Sequence, residues 1–373
     1  MHDNDDRMLA PQLDITDNSF RVGGMFCPET PNLGFYTTLV QEYSRRKVNE
    51  KYPEDLFHAF SSIQTVLSKS YPGGFIQCIP LSLFTECLLW QTTQQAGLSR
   101  RSFGNSGMRA ASWSWIGWSV PVNFSRVISG DVRRPCQSVV SWYASQERYS
   151  TRYPITVAST EAWKIRNKLS ENKTLRLINS RVRDQETQRL QGLRSSSSES
   201  RVPFAPAAKT MCSFLHGRVL AAQFNVVRRH DHGDDLYVLL SRVGGYFAGV
   251  LIQGDASVPA SLTTDRPITL LAVSTGTFEV NPLTWRRGNY HAEYLKDRYF
   301  DPVITEEARC EDESVVSGIK VKKEYVKDNK YEFYDALWVE LEGGVAYRKG
   351  IARVAREAME EDVSAGWVDI TLG

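Results

Sequence analysis

The sequence lacks several features that would assign a function class at once. Its six cysteines include no C-x-x-C pair, so neither a zinc knuckle nor a thioredoxin-type redox pair is predicted. No apolar run approaches the roughly 18 residues that a membrane-spanning helix needs. The acidic, polar start of the chain does not have the apolar centre of a secretory leader. We therefore expect a cytoplasmic protein with reduced thiols and no membrane span.

A strong net charge is also missing, since 45 basic residues balance 43 acidic ones. This balance excludes a polycation of the histone type. It conceals an uneven distribution, because residues 100–209 contain 19 basic and 7 acidic residues, whereas residues 301–373 contain 10 and 17. The apolar content of 42% and the aromatic content of 11% are ample for a packed core and exclude wholesale disorder.

The chain divides by pattern into four stretches. Residues 1–34 combine prolines and glycines with little periodicity, which predicts an irregular lead-in. Residues 35–160 are predicted to be a helical module with a tryptophan-rich segment, and residues 161–210 a basic linker rich in serine and proline. Residues 211–373 are predicted to be rich in strands. The predicted fold class is α+β, an N-terminal helical module followed by a barrel- or sandwich-like C-terminal module.

Four helices are predicted. Apolar residues recur at helical spacing over Phe35–Lys47, and again from Pro53, a favourable first-turn residue, as far as Leu67. A third stretch, Leu81–Gln91, is apolar on most of its surface and is predicted to be a buried helix. The fourth, Ile351–Met359, precedes the last predicted strand.

Strand signals dominate after the linker. Runs rich in β-branched and aromatic residues predict strands at Ser213–Val227, Leu236–Val243, Tyr246–Gln253, Ile268–Val273, Trp338–Leu341, Val345–Arg348 and Trp367–Leu372. Glycine pairs within residues 242–245 and 342–344 predict two tight hairpins. Before the linker, Ser138–Tyr143 is another predicted strand.

The tryptophan-rich segment is the most distinctive local feature. Trp113 and Trp115 alternate with serine, which predicts an extended segment with both indoles on one face. With Trp118 they make three tryptophans in six residues. Such a group can fill a core, each side chain burying on the order of 150–250 Å², or it can form an interaction hot spot. The spacing favours a core position for Trp113 and Trp115.

One cluster has the residue types of a metal site. His230, His232 and Asp234 alternate along the chain, so they share one face of an extended backbone, and zinc or iron accepts these ligands. The same residues suit a solvated turn, since Asp and Gly favour turn conformations. No other histidine has a matching spacing, so no metal or other cofactor is expected. A metal-assisted hydrolase built on these three residues stays an alternative.

A second alternative is nucleic-acid binding. Basic residues concentrate in the segment 164–183, which suits contact with phosphates. The segment lacks the interleaved aromatic residues that stack on bases, so nucleic acid is not the partner we expect. A cationic strap over the acidic C-terminal module explains the charges equally well. No nucleophile elbow, Rossmann phosphate loop or Walker motif occurs, and no catalytic residue is predicted.

Several motifs together resemble one protein family. Residues 111–118, A-S-W-S-W-I-G-W, resemble the P-S-W-S-W-A-G-W signature downstream of the HET domain in fungal heterokaryon-incompatibility proteins. Stretches at 43–63 and 75–101 follow the family's order, and 338–348 and 367–373 are similar to its usual C-terminus. The residues that carry the signature are Trp113, Ser114, Trp115, Gly117, Trp118, Gly344, Ala346, Tyr347 and Arg348. The resemblance covers residues 35–373.

The motifs of the HET domain itself are not found in the sequence, and residues 1–34 are too few to contain them. In the family, that domain is the effector of non-self recognition and programmed cell death. The resemblance therefore transfers no catalytic residue. It implies a non-enzymatic scaffold or recognition region that has protein partners and is linked to fungal non-self recognition.

Overall fold

The structure is a computed structural model of the 373-residue chain. It describes residues 19–22, 25–28, 31–46, 54–71, 73–92, 100–103, 108–124, 137–155, 212–231, 234–253, 267–279, 314–316, 319–321, 326–327 and 330–373. The predicted linker, 161–210, and most of the predicted lead-in lie outside these residues. Among the described helices, none has the length and apolar character needed to cross a membrane.

Helices form a minor part of the described chain. They are α1 (Leu33–Ser44), α2 (Glu54–Leu67), α3 (Phe84–Cys87) and α4 (Arg356–Glu361). α1 begins after Asn32, whose side-chain carbonyl accepts a hydrogen bond from the Phe35 amide at 2.9 Å. The strand-rich part of the predicted fold is confirmed. Two long helices do not make a clear N-terminal helical module, so that part stays a prediction.

One predicted helix is wrong and another is wrong in its first half. Leu81–Gln91 contains only a 3-10 turn at Leu81–Leu83 and the single turn α3. Every residue from 81 to 92 is buried. The apolar residues of this run therefore reflect its burial on all sides, and their spacing does not indicate a helix. Residues 351–355 of the predicted helix 351–359 belong to a strand, because both faces of this stretch are buried as well.

Short antiparallel strand pairs lie outside the main sheet. They are β1 (Ser19–Val22) with β2 (Met25–Pro28), β3 (Phe75–Ile76) with β4 (Ile79–Pro80), β5 (Gln91–Thr92) with β8 (Val122–Asn123), β6 (Ser102–Phe103) with β7 (Met108–Arg109), and β16 (Ser314–Val316) with β17 (Ile319–Val321). Three of these pairs lie between residues 75 and 123, where the sequence predicted one helix, Leu81–Gln91, and an extended tryptophan-rich segment.

Within the described residues, the main sheet contains eleven strands. They are β9 (Gln137–Ser138), β10 (Tyr143–Ser145), β11 (Tyr153–Pro154), β12 (Phe214–Asp231), β13 (Asp234–Leu240), β14 (Phe247–Gln253), β15 (Ile268–Glu279), β18 (Val326–Lys327), β19 (Lys330–Glu342), β20 (Val345–Ala355) and β21 (Gly366–Leu372). The order is β11-β10-β12-β13-β14-β20-β19-β15-β9, with β18 beside β19 and β21 beside β12 and β20. The strands predicted between residues 213 and 273 coincide with β12 to β15.

One further pairing closes the sheet on itself. Residues 221–224 of β12 pair with residues 268–271 of β15, so β12, β13, β14, β20, β19 and β15 form a closed six-stranded ring. Both predicted hairpins are present, and Gly244 and Gly343 adopt the left-handed φ values of 79° and 57° that such turns require. Closure leaves the ring strands without free edges that could pair with other chains.

Two apolar cores lie on opposite faces of the ring. Side chains from all six ring strands, including Phe224, Leu270 and Trp338, form one core and fill the inside. Alternate residues, including Val219 and Leu271, point outward and join a larger core built mainly by residues 33–124. Because successive strand residues point to opposite faces, strands buried on both sides connect the ring to the N-terminal half.

Candidate functional site

The tryptophan-rich segment does not form the predicted strand. Trp115–Gly117 is a 3-10 turn, in which Ser114 Oγ accepts a hydrogen bond from the Ile116 amide at 3.3 Å. All residues from 110 to 118 are buried. The serines are buried together with the tryptophans, so the alternation in the sequence does not correspond to one apolar and one exposed face.

The three indoles are core groups with satisfied N–H donors. Trp113 donates to the Ser213 carbonyl at 3.3 Å, Trp115 to the Tyr36 hydroxyl at 3.1 Å, and Trp118 to the Ser112 carbonyl at 2.9 Å. Trp113 and Trp115 are 0% and 1% exposed, as their spacing predicted. Trp115 also packs edge-on against Phe60, with the ring centroids 5.0 Å apart.

The same segment holds a strained turn between β3 and β4. Gln77 and Cys78 have φ values of 46° and 67°, a left-handed conformation that costs a non-glycine residue roughly 1–2 kcal/mol. The Gln77 carbonyl accepts from Ser114 Oγ at 2.6 Å, and the Cys78 carbonyl accepts from the Tyr36 hydroxyl at 2.7 Å. Burial raises the pKa of the Cys78 thiol well above its usual value. The turn is therefore held in place by contacts with the signature residues and α1.

Arg348 is the buried cation of this region. It is 2% exposed, and its guanidinium donates to the carbonyls of Leu88 (2.6 Å) and Trp90. The guanidinium carbon lies 3.7 Å from the centroid of the Trp90 ring, a cation–π distance. Burial lowers the pKa of Arg348 well below its ordinary value. The Trp90 indole in turn donates to the Trp113 carbonyl at 2.9 Å, which links Arg348 to the tryptophan-rich segment.

Ser112 joins the two signature stretches directly. Its Oγ accepts a hydrogen bond from the Arg348 amide at 3.0 Å and donates to the Gly373 carbonyl. The Ser112 amide donates to the same carbonyl at 2.8 Å, and the Gly373 amide donates to the Ala346 carbonyl at 3.0 Å. We refer to Trp90, Ser112, Trp113, Arg348 and Gly373 as the signature junction.

Gly344 and Tyr347 are signature residues that lie outside the junction. Gly344 is in the exposed turn between β19 and β20 with a φ of 77°, and a Cβ there would lie 2.5 Å from the guanidinium of Arg148. Tyr347 lies near Arg100, whose guanidinium carbon is 5.6 Å from the tyrosine ring centroid and 5.8 Å from that of Trp118. Gly344 thus serves a turn, and Tyr347 helps to pack a second arginine.

The chemistry of the junction is structural. Its side chains are buried, and its polar groups bind mainly main-chain carbonyls and amides, which are fixed partners that supply no acid, base or nucleophile. A charged guanidinium that is stacked and bound to carbonyls holds two distant parts of the chain in one geometry. The sequence motif therefore marks a tertiary contact.

The predicted metal cluster is only partly included in the described residues, and the basic segment is not included in them. The predicted metal ligand His230 is in β12 and Asp234 in β13, where Asp231 pairs with Asp234 in the backbone register. The side chains of these residues and all of His232 lie outside the described part, so the structure does not bring the three ligands together or separate them. No group of three or more His, Cys, Asp or Glu residues suited to a metal occurs among the residues that are described. The basic segment 164–183 lies outside them.

A buried polar network on β10, β12 and β21 was not predicted from the sequence. Ser145 Oγ donates to the Glu147 carbonyl at 2.6 Å and lies 2.7 Å from His216 Nε2. Because the hydroxyl proton is used, Nε2 carries the imidazole proton and donates to Ser145, while Nδ1 accepts from Thr371 Oγ1 at 3.1 Å. Burial, and secondarily the charge of Arg152, lowers the pKa of His216 to about 4.

This network resembles a nucleophile–base pair in distance only. A serine hydroxyl that donates away from the imidazole is not activated by it, and Ser145 and His216 are 0% and 1% exposed. Ser145 and His216 are 71 positions apart, and no local sequence motif contains both of them. The sequence predicted a strand that contains His216, Ser213–Val227, and another, Ser138–Tyr143, that ends two residues before Ser145.

A second buried pair was also missed. Asp335 and Arg353 are opposite each other on β19 and β20, with Oδ1 and Nε 2.7 Å apart and both side chains about nine-tenths buried. The Arg353 guanidinium carbon lies 3.8 Å from the Phe333 ring centroid, and Ser274 Oγ donates to the other carboxylate oxygen at 3.4 Å. The pair is neutral overall and largely buried, which favours a structural role.

Compared with known proteins, the chain matches no family model, no curated protein and no solved structure.

Proposed function

We propose that the chain is a non-enzymatic scaffold or recognition region of the kind that accompanies the HET domain in fungal heterokaryon-incompatibility proteins. It would combine the helices α1 and α2 with a β-rich module and act through protein partners in the cytoplasm. Its link to non-self recognition and programmed cell death rests on the motif resemblance described above.

The observation that carries the proposal is the convergence of the two signature stretches. Ser112 and Arg348 are 236 positions apart, yet they meet in one buried junction. Proteins that share a scaffold must fill the same core contacts, so they need similar residues at those positions. Signature residues that meet in a core therefore favour a shared scaffold. The satisfied, inaccessible polar groups of the junction favour a scaffold over an active site.

A domain-exchange experiment tests the proposal. In a filamentous fungus, a HET-domain protein whose own downstream region is replaced by this chain should retain its incompatibility reaction, scored as hyphal death. The same fusion with Arg348→Met should lose it, and with Arg242→Met, at an exposed turn, should keep it. Expression of the chain alone should leave the hyphae viable. Death caused by the chain alone, or an inactive fusion that is folded, would refute the proposal.

A further inference from the structure

One face of the sheet, where β10, β12 and β21 lie side by side, is exposed and rich in aromatic and charged groups. Trp367 is 54% exposed and Tyr143 is 42% exposed. Residues opposite each other in antiparallel strands share a face, and Arg218 is opposite Asp369. Trp367 is two residues from Asp369 and so lies on the same side.

Tyr143 belongs to this face as well. It is opposite His216, which is opposite Thr371, two residues beyond Asp369. We refer to Tyr143, Arg218, Trp367 and Asp369 as the β21 face. All four side chains are exposed, whereas His216 and Leu220, which share this face, are buried.

The composition of the β21 face is that of an interaction surface. Tryptophan, tyrosine and arginine are the residue types enriched at binding hot spots. A tryptophan in a regular strand with half of its surface in water is unusual, because its large apolar area favours burial. Within the described part of the chain, neither Arg218 nor Asp369 has an ion-pair partner, although the two are adjacent in the register.

We propose that the β21 face is the interface of a two-fold symmetric homodimer. The charge pattern is self-complementary: a two-fold axis that runs between β12 and β21, parallel to the strands, places Arg218 of each copy over Asp369 of the other. The same operation places each Trp367 over β12 of the second copy, at the level of Leu220, its opposite residue in the register, which is itself buried. The pattern thus supplies two ion pairs and two buried indoles from one contact.

A second copy fits this face better than an unrelated partner does. Arg218 and Asp369, one positive and one negative group at adjacent register positions, match their own image in a second copy. Four residues fall short of the roughly 800 Å² that each partner buries in a standard interface. We therefore expect weak, reversible dimers. This proposal does not rest on the proposed function.

Sedimentation equilibrium of the full chain tests it over a concentration series extending to the high micromolar range. The wild type should rise from the monomer mass toward twice that mass. Trp367→Ala should raise the dissociation constant at least about tenfold, the effect of a hot-spot truncation. Arg218→Asp and Asp369→Arg should each be monomeric at the concentration where the wild type is half dimeric. In a dimer of either variant, positions 218 and 369 of the two copies would carry the same charge and repel each other.

The decisive sample is a 1:1 mixture of the Arg218→Asp and Asp369→Arg variants. In the mixed pair both contacts again join opposite charges, so the mixture should dimerise although neither component does. Arg242→Asp, at an exposed turn outside the β21 face, is the matched control and should associate like the wild type. A monomeric wild type at every concentration, dimeric single variants, or a mixture that stays monomeric would overturn the proposal. If Arg218→Asp fails to fold, Asp369→Arg and Trp367→Ala still decide it.

Discussion

Acidification should destabilise this protein through His216 in a defined pH window. The buried imidazole is neutral, and its pKa is lowered from 6.5 to about 4, first by burial and then by Arg152. The unfolded state therefore takes up the proton more readily than the folded state. The stability that His216 contributes is complete above about pH 6.5 and is lost progressively as the pH falls toward 4.

The size of the effect follows from the shift. One pKa unit corresponds to about 1.36 kcal/mol, so the free energy of unfolding should fall by roughly 3 kcal/mol between pH 7 and pH 4 because of this residue alone. Most domains have a total stability of about 5–15 kcal/mol, so a loss of this size is readily measurable. Carboxylates add their own pH dependence, and a variant is needed to separate the two.

Urea unfolding followed by tryptophan fluorescence, repeated from pH 7.5 to pH 4, gives that separation. His216→Gln should be less stable at pH 7, by about 1–3 kcal/mol for the disturbed buried hydrogen bonds. Its stability should then fall by roughly 3 kcal/mol less than that of the wild type on acidification. His58→Gln, on the exposed side of α2, should follow the wild-type curve. If His216→Gln and the wild type lose stability in parallel, the account of His216 is wrong.

Three further predictions concern the signature residues and the metal alternative. Gly117→Ala places a Cβ 2.6 Å from the Ala111 carbonyl oxygen and should lower the free energy of unfolding by about 1–3 kcal/mol, whereas Gly366→Ala, with open space around it, should change it by less than about 0.5 kcal/mol. Arg348→Met leaves two buried carbonyls without a donor and should cost about 3 kcal/mol in a urea titration, and a loss below about 1 kcal/mol would contradict the junction's role. Elemental analysis should find no stoichiometric zinc or iron, and one bound metal per chain that is lost in His230→Ala would restore the hydrolase alternative.

The β-rich part of the fold was predictable because its signals are local. Glycine pairs between strand-like runs identify the turns after β13 and β19, and the positive φ of Gly244 and Gly343 shows why glycine is needed there. The helix predicted at Leu81–Gln91 failed for the opposite reason. A run that is buried on every side has no exposed face from which its period could be read.

The buried polar contacts were not predictable from local patterns. A regular hairpin from Glu342 and Val345 would place Asp335 opposite Ala352, and only the bulge between Trp338 and Val339 shifts it to Arg353. His216 finds its partners on strands that are 71 and 155 positions away. In both cases the chemistry depends on tertiary register, which residue spacing in one sequence does not specify.

The signature junction also has a consequence for biosynthesis. At about 5–20 residues per second, a ribosome needs roughly 10–50 s to travel the 236 positions from Ser112 to Arg348. Throughout that delay, Trp90 and Trp113 lack the strand that completes their surroundings, and a long-range contact of this kind slows folding further. The nascent chain should therefore depend on chaperones until β20 emerges, and a stop codon placed before β20 should yield an aggregating product rather than a smaller folded domain.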